Sequence, residues 1–557
     1  MSATGDPQVA DQVLRYISNA RWFAGKGRRA RLRSLTPLPW LTDVSEFFRP
    51  AGPPAVRFEI AEVNYPPEED PQPPSAASDQ AEEELDSRDF ASVGTPEMAH
   101  EIAAMPTEYY QLAVSYRPAP HAELHHAELG RFTDPDLGPV IGYDAAQDPE
   151  ASEAILTALL GGRRLRSPDS EVRFNITSGS GLSSDLEPRL FTGQQSNTSV
   201  MLGDTAILKL FRRLELGKNL DIEVHAALNA AGISDVAGLF GWIEGSWVSS
   251  GLQLDADLAM VIEKLAGAVD GWELALDSVR SENASAEARA GSGFAPEAEA
   301  RAGSGFAPEA EALGKALSEI HDALRSAFPT KKVLGARTAM IMMDRLREAA
   351  AIAPALAPHI PGLLRCFDHL SAETLDTQRV HGDFHLGQTL QTPAGWKIID
   401  FEGEPAKTMA ERRAPDTVWR DIAGMLRSFD YAAATVPGPH SAAWAAECRA
   451  AFLRGYAGVE LDAADAGMLR AYEADKAIYE VVYEARNRPD WVDIPLRAVA
   501  ALAADDSDSE GSDAPPTSAD NNQVAPGELA SPPHEHGGLA SPPQEHGEFV
   551  SPSREQE

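Results

Sequence analysis

Apolar and polar positions follow two different periods along this chain. The runs "AVRFEIAEV" (55–63) and "TEYYQLAVSYRP" (107–118) both alternate with period two. That pattern predicts one small sheet interrupted by residues 64–106. An amphipathic helix over "ADQVLRYISNA" (10–20) and a basic, glycine-containing turn, "RWFAGKGR", precede it. "GPVIGYDAAQDPEASEAILTALLGG" reads as a strand followed by a helix. A second β-rich region begins near Val172. There "SNTSVMLG" and "TAILKLF" meet at Gly203-Asp204, a hairpin signal. A helix over 219–232 closed by Gly232 and a strand "LAMVIEKL" (258–265) follow. After Ala312 the period becomes helical. In "DTVWRDIAGMLRSFDYAA" (416–433), Val418, Ile422, Met425, Leu426 and Phe429 share one face. The order predicts an α+β chain: an N-terminal subdomain (1–145), a β-rich lobe (146–265) and a helical lobe (266–500).

Three segments break this order. Residues 66–101 hold eleven acids and one arginine, and residues 501–557 hold twelve acids and one arginine. Both are rich in Pro, Ser and Ala, so the 64–106 insert and the 501–557 tail are expected to be disordered. They supply −21 of the formal net charge of −37. The tail repeats itself ("LASPPHEHGG", "LASPPQEHGE"), as a solvated low-complexity segment does. In the third segment, 281–312, "AEARAGSGFAPE" (286–297) recurs unchanged at 298–309. Two copies are too few for a solenoid, so a duplicated surface insert is expected.

The 557 residues, 43% hydrophobic and 24% charged, suit more than one globular domain. Without a basic face, a nucleic-acid partner is not expected. No apolar run of membrane-spanning length or secretory signal is read, and two cysteines cannot frame the fold; a cytoplasmic location is the default.

The chemistry concentrates in "VHGDFHLGQTLQTPAGWKIIDFEGEP" (380–405). His381 and His385 have the spacing of two zinc ligands on a helix, but Gly382 and Gly387 make poor helix and no third ligand is evident. A phosphotransferase fits better. His381-Gly382-Asp383 is followed five positions on by Gln388, then by a strand ending in Asp400-Phe401-Glu402, with a Pro-Ala-Gly turn between. Phosphoryl transfer needs a carboxylate to orient a hydroxyl and take its proton, and oxygen ligands for Mg²⁺ on the phosphates of ATP. Asp383 suits the first role; Asp400 and Gln388 suit the second. His381 and His385 are expected to shape the loop, with a sugar contact open for His385.

Lys209 sits inside the apolar strand "TAILKLF", where an unpaired ammonium would be costly. Glu223, on the helix that follows, is its expected partner for holding phosphates. Ser196, Asn197, Thr198 and Ser199 stand where a phosphate-covering loop would lie, and Glu263–Leu265 where adenine would meet a hinge.

The strings "HGDFHLGQTL", "IIDFEGEP", "ILKLFRR", "RWFAGKGR", "DGWELAL" (270–276) and "AIYEVVYEARNRPDW" (477–491) together resemble bacterial maltokinase, of the aminoglycoside-phosphotransferase-like branch of the kinase fold. The likeness runs from about residue 10 to about residue 500, apart from the inserts. It implies a bilobal protein-kinase-like fold with an N-terminal cap. It also implies ATP-dependent phosphorylation of maltose at its anomeric hydroxyl, giving maltose 1-phosphate for glycogen (α-glucan) synthesis from trehalose. Trehalose synthase is then the expected partner. The resemblance gives Asp383 the role of base, Gln388 and Asp400 that of magnesium ligands, and Lys209 that of ATP-phosphate ligand. Candidate sugar-reading residues are Arg412, Arg413, Asp416, Trp419 and Arg420, and further on Tyr479, Glu480, Tyr483, Glu484, Arg486 and Trp491. Each is as easily part of a salt-bridged face or an aromatic core. Two other readings compete: a kinase for an aminoglycoside or choline-type acceptor, and a non-catalytic kinase-like scaffold. Retention of Asp383, Asp400 and Lys209 argues against the scaffold.

Overall fold

The computed structural model describes residues 7–66, 107–191, 197–292, 305–404, 407–459 and 461–504. The acidic insert from residue 67, Ser196, the centre of the tandem repeat and the acidic tail from residue 505 lie outside the described residues. The chain divides into two compact units, 1–223 with 237–266, and 224–236 with 267–557.

The first unit holds two antiparallel sheets. The N-terminal sheet has the order β1 (Arg31–Pro37), β2 (Ala55–Asn64), β3 (Thr107–Arg117), β5 (Gly138–Asp144), β4 (Glu128–Asp134). Strands β2 and β3 pair along their whole length, with Asn64 opposite Thr107, so the acidic insert is the connection of a hairpin. Strand β2 lacks a wet face because both of its faces are covered. Ala55, Ala61 and Val63 pack with Val13 and Ile17 of α1 (Pro7–Asn19). Val56, Phe58 and Ile60 pack with Ile155, Leu156 and Leu159 of α2 (Pro149–Leu160). Glu59 is buried on the first face, where it accepts bonds from Tyr116 and Arg57.

The second sheet has seven strands, in the order β6 (Arg164–Arg166), β7 (Ser170–Ile176), β11 (Leu239–Ser249), β12 (Leu252–Glu263), β10 (Ala206–Leu210), β9 (Thr198–Leu202), β8 (Pro188–Leu190). The α2 core continues into it through Phe174 of β7, Trp247 of β11 and Leu258 of β12. The N-terminal subdomain and the small lobe thus share one core. The hairpin expected at Gly203-Asp204 joins β9 to β10, and β10 pairs on its other side with β12. Helix α3 (Leu220–Ala230) follows.

The "RWFAGKGR" turn braces the N-terminal subdomain. Trp22 and Phe23 lie against Tyr110, and the Arg28 guanidinium stands 3.6 Å over the Tyr65 ring. Glu108 gathers the hydroxyls of Tyr65 and Tyr110 and the guanidinium of Arg213.

The second unit is built on helices α4 (Gly271–Ser292), α5 (Ala307–Ala327), α6 (Gly335–Ile352), α7 (Ile360–Ser371), α8 (Trp419–Thr435), α9 (Ser441–Ala457), α10 (Ala463–Asn487) and α11 (Asp493–Ala504). Helix α8 is buried nearly all round, including the expected Ile422, Met425, Leu426 and Phe429. Cys366 and Cys448 are free and buried. Among the described residues, no helix is long and apolar enough to cross a membrane.

One expectation is corrected here. The 281–312 segment is not wholly a surface insert. Asn283 is buried in α4, donating to Ser441 and Val436 and accepting from the His440 N–H. From the second repeat copy, Phe306 is 4% exposed and packs against Trp396, Phe429 and Trp444. Glu309 accepts a 2.8 Å bond from the Trp396 indole. Helix α5 therefore starts at Ala307, inside the repeat. Phe306→Ala is expected to lower unfolding free energy by about 3–5 kcal/mol, the cost of a large buried aromatic. Denaturant titration followed by circular dichroism checks this; an unchanged midpoint would return the segment to the surface.

Candidate active site

In the second unit the segment 378–404 forms a loop whose shape is set from below by Asp421. This carboxylate is fully buried on α8. It accepts the backbone N–H of His381 (2.7 Å) and of Gly382 (2.8 Å), and the His321 imidazole stands 3.0 Å away. Burial alone would raise its pKa. The bond from His321, the neighbouring imidazoles and the Gly382 N–H outweigh that and hold it below the usual aspartate value. Gly382 has φ +87°, a left-handed conformation costly for any residue with a Cβ. Gly424 lets α8 approach the loop: a Cβ there would come 2.4 Å from the Phe384 carbonyl.

The histidines shape the loop, as expected. His381 Nε2 lies 2.9 Å from the Ile399 carbonyl, which fixes the proton on Nε2. Nδ1 is left as acceptor for the Asp383 N–H. The ring packs on Phe384 and Phe401. His385 Nδ1 accepts the Gly387 N–H and caps the short turn Leu386–Gln388. These bonds aim the ring nitrogens at backbone. Among the described residues no group of three or more His, Cys, Asp and Glu side chains is arranged to hold a metal ion.

The hairpin of β13 (Thr389–Thr392) and β14 (Gly395–Ile398) returns the chain so that Gln388 Nε2 donates to Asp400 Oδ2 at 3.2 Å. Asp400 has φ +66°, one of three non-glycine residues in the left-handed region among the described residues. A strained backbone at a carboxylate is a mark of a functional position. Asp383 meets a cation that the sequence had not nominated: Lys476 Nζ on α10, 3.3 Å from Asp383 Oδ1. Burial works against its charge, but Asp383, Glu404 and Glu480 more than offset this and raise its pKa. Lys476 lies one residue before the quoted string 477–491. Nothing in the sequence singles it out among the polar residues of α10.

The sugar candidates divide. Tyr479 is 38% exposed, lies under Lys476 Nζ and stacks on Tyr483. Glu480 and Glu484 lie on the adjoining stripe of α10 and are tied to arginines. Glu480 takes two bonds from Arg427, and Glu484 is held by Arg488 and Tyr431. Arg420 pairs with Asp416 and stands over Tyr472. Arg412 donates to the carbonyls of Lys407 and Glu402, bracing the chain after Asp400. Trp491 lies against Arg488, and Arg486 is exposed. Trp419 is buried in the core.

In the first unit, Lys209 stands mid-β10 between Ser199 and Met260. Its Nζ is 3.4 Å from Asp221 Oδ2, a partner on α3 two residues before the nominated Glu223. Asn219 Oδ1 caps the Asp221 and Ile222 N–H groups and so orients that carboxylate. Thr198 and Ser199 are not loop residues: they open β9, and the Thr198 hydroxyl accepts a 2.8 Å bond from buried Arg212. Glu263 and Lys264 donate their N–H groups to Gly238 and Thr205.

The chain is similar to several known proteins. The maltokinase N-terminal cap domain family matches residues 89–148. Glucosamine kinase of Streptacidiphilus jiangxiensis is 29% identical over 371 residues, 62% of this chain and 79% of that protein. Glucosamine kinase of Mycolicibacterium smegmatis (strain ATCC 700084 / mc(2)155) is 26% identical over 340 residues, 56% and 79% of the two chains. The solved glucosamine kinase in complex with glucosamine, ADP and inorganic phosphate superposes with a TM-score of 0.55 at 19% identity, covering 88% of this chain and 98% of that one. The chain has the fold of that kinase, and part of its N-terminal region matches the maltokinase cap family. The resemblance drawn from the motifs is consistent with these matches, the cap-family match falling at residues 89–148.

The organising role of Asp421 predicts a pH effect in this kinase. A carboxyl with a depressed native pKa contributes stability that is full above the unfolded value, about 3.9, and is lost as pH falls through the native one. Asp421→Asn is expected to cost about 3 kcal/mol at neutral pH and to remove that share of acid sensitivity. Denaturation of both proteins at a series of pH values checks it; parallel curves would contradict the assignment.

Proposed function

We propose that the chain phosphorylates the anomeric hydroxyl of maltose with ATP, giving maltose 1-phosphate and ADP. The observation that carries this reading is one Asp421-organised loop holding both Asp383 and the Gln388–Asp400 pair. Asp383 accepts the hydroxyl proton. The freed oxygen bonds to the γ-phosphorus as the bond to the bridging oxygen of ADP breaks. Asp400 and the Gln388 amide are a hard oxygen set of the kind Mg²⁺ takes, one carboxylate and one amide with phosphates completing the shell. When bound, that ion neutralises phosphate charge. Lys209, oriented by Asp221 and Glu223, holds phosphate oxygens. Adenine reads backbone at Leu265 and the Glu263 carbonyl, since the Glu263 and Lys264 N–H groups are already donated. Lys476 pairs with Asp383 and holds it in place, and Tyr479 offers a ring face to the sugar. Association with trehalose synthase and supply of glycogen synthesis in the cytoplasm go with this reading.

The curated relatives favour a second acceptor, glucosamine. The Lys476 ammonium beside Asp383 disfavours a cationic amine at the reacting hydroxyl, and so supports a neutral sugar over amino sugars, aminoglycosides and choline. ADP release measured with maltose and with glucosamine, followed by phosphorus NMR of the product, separates the two. No turnover with maltose sinks the proposal.

Asp383→Ala is expected to lower kcat about 10²–10⁴-fold, the range for a general base. Lys476→Met is expected to lower it about 10- to 100-fold, the value of a charged bond. Steady-state kinetics checks both, and an unchanged kcat for Lys476→Met would make that contact purely structural.

A further inference from the structure

The cap carries a cleft that the kinase reading does not use. It lies within the first unit, has a volume of about 1020 Å³ and is walled by α1, the stretch 122–131 and the start of β9. Small-molecule sites run to roughly 300–1,000 Å³, so a disaccharide-sized ligand fits. Its walls gather cations: Arg15, Arg21 and Arg131, with His125 and His126. The acids in the wall do not cancel them. Asp144 is consumed by Arg212, at 2.7 and 2.8 Å, and by the Tyr16 hydroxyl at 2.6 Å. Glu128 approaches Arg131 only to 3.9 Å. Among the described residues no ion pair engages Arg15 or Arg21. In a chain of net charge −37 such a cluster stands against the background.

Two further observations point to a ligand. Arg212, 1% exposed, touches the wall residues Asp144, Thr198 and Trp22, and its Nη1 atom is buried without a partner among the described residues. Asp144 balances the Arg212 charge, so what stands behind the wall is one buried donor atom. Trp22 is half-buried and fixed by rings on two sides, Tyr16 and Tyr110, so its indole is held ready as a contact surface. Guanidinium groups match phosphate oxygens two at a time. An indole with the amides of Asn19 and Gln147 suits a hydroxylated ring.

We propose that the cap cleft binds a phosphorylated sugar, with the phosphate on Arg15 and Arg21 and the sugar ring on Trp22. This site is separate from the acceptor site of the proposed reaction and does not depend on which sugar is phosphorylated.

The test is isothermal calorimetry on the full chain under saturating ADP, with glucose 6-phosphate, glucose and inorganic phosphate as separate titrants. Glucose 6-phosphate is expected to bind the unaltered protein and Asp383→Ala alike. Binding is expected to weaken about tenfold or more in Arg15→Ala/Arg21→Ala. Glucose and inorganic phosphate are expected to bind more weakly than the sugar phosphate. Absence of binding, equal affinity in the double variant, or loss of binding in Asp383→Ala overturns the proposal. Inorganic phosphate binding as tightly as glucose 6-phosphate overturns the assignment of a sugar.

Discussion

The second unit depends on a buried carboxylate. Asp421 has no water to solvate it, so its charge must be met by donors fixed in place. The chain supplies the N–H groups of His381 and Gly382 and the His321 imidazole. Each of these is thereby pinned. His381 then spends Nε2 on the Ile399 carbonyl, which ties the loop to the strand that delivers Asp400. Asp383 and Asp400 are thus set by one buried charge that need not meet substrate. This is positioning in the strict sense: a fixed electrostatic contact shapes backbone, and the backbone places reactive groups.

Legibility in the sequence followed the range of the interaction. Period two in 55–63 and 107–118 was enough to join two strands across the insert, because alternation is local and the hairpin pairs residue by residue. The Gly203-Asp204 turn was readable for the same reason. His381, Asp383, Gln388 and Asp400 could be grouped from the sequence because one short segment around a hairpin carries all four. Asp421 and Lys476 were not. Each meets the loop from a distant helix, 40 and 93 residues away, and nothing in a helix marks which of its polar residues turns inward. Thr198 and Ser199 were misplaced because hydroxyl-rich residues suit both a loop and a strand whose polar groups are met by a neighbour such as Arg212.

Helix α10 shows how one spacing can conceal two functions. Glu480 and Glu484 share a face, and as carboxylates they were sugar candidates. They are instead fixed to Arg427 and Arg488, cations that compensate the cost of burying acid. Lys476, Tyr479 and Tyr483 form the neighbouring stripe, and it is this one that reaches Asp383. The buried ion pairs hold the helix in rotation, and that rotation aims Lys476.

The tandem repeat carries the same lesson, since its described ends belong to two different helices. Residues 286–292 of the first copy complete α4, whereas Phe306 and Ala307–Glu309 of the second open α5. One copy contains both pieces in the right order. Gly305 stands against Glu282, where a Cβ would come 3.0 Å from the carboxylate, and Glu282 lies ten residues before the end of α4. Ten helical residues rise about 15 Å. The chain therefore runs on past Glu282 along α4 and is back beside it at Gly305, where Phe306 takes its place among Trp396, Phe429 and Trp444.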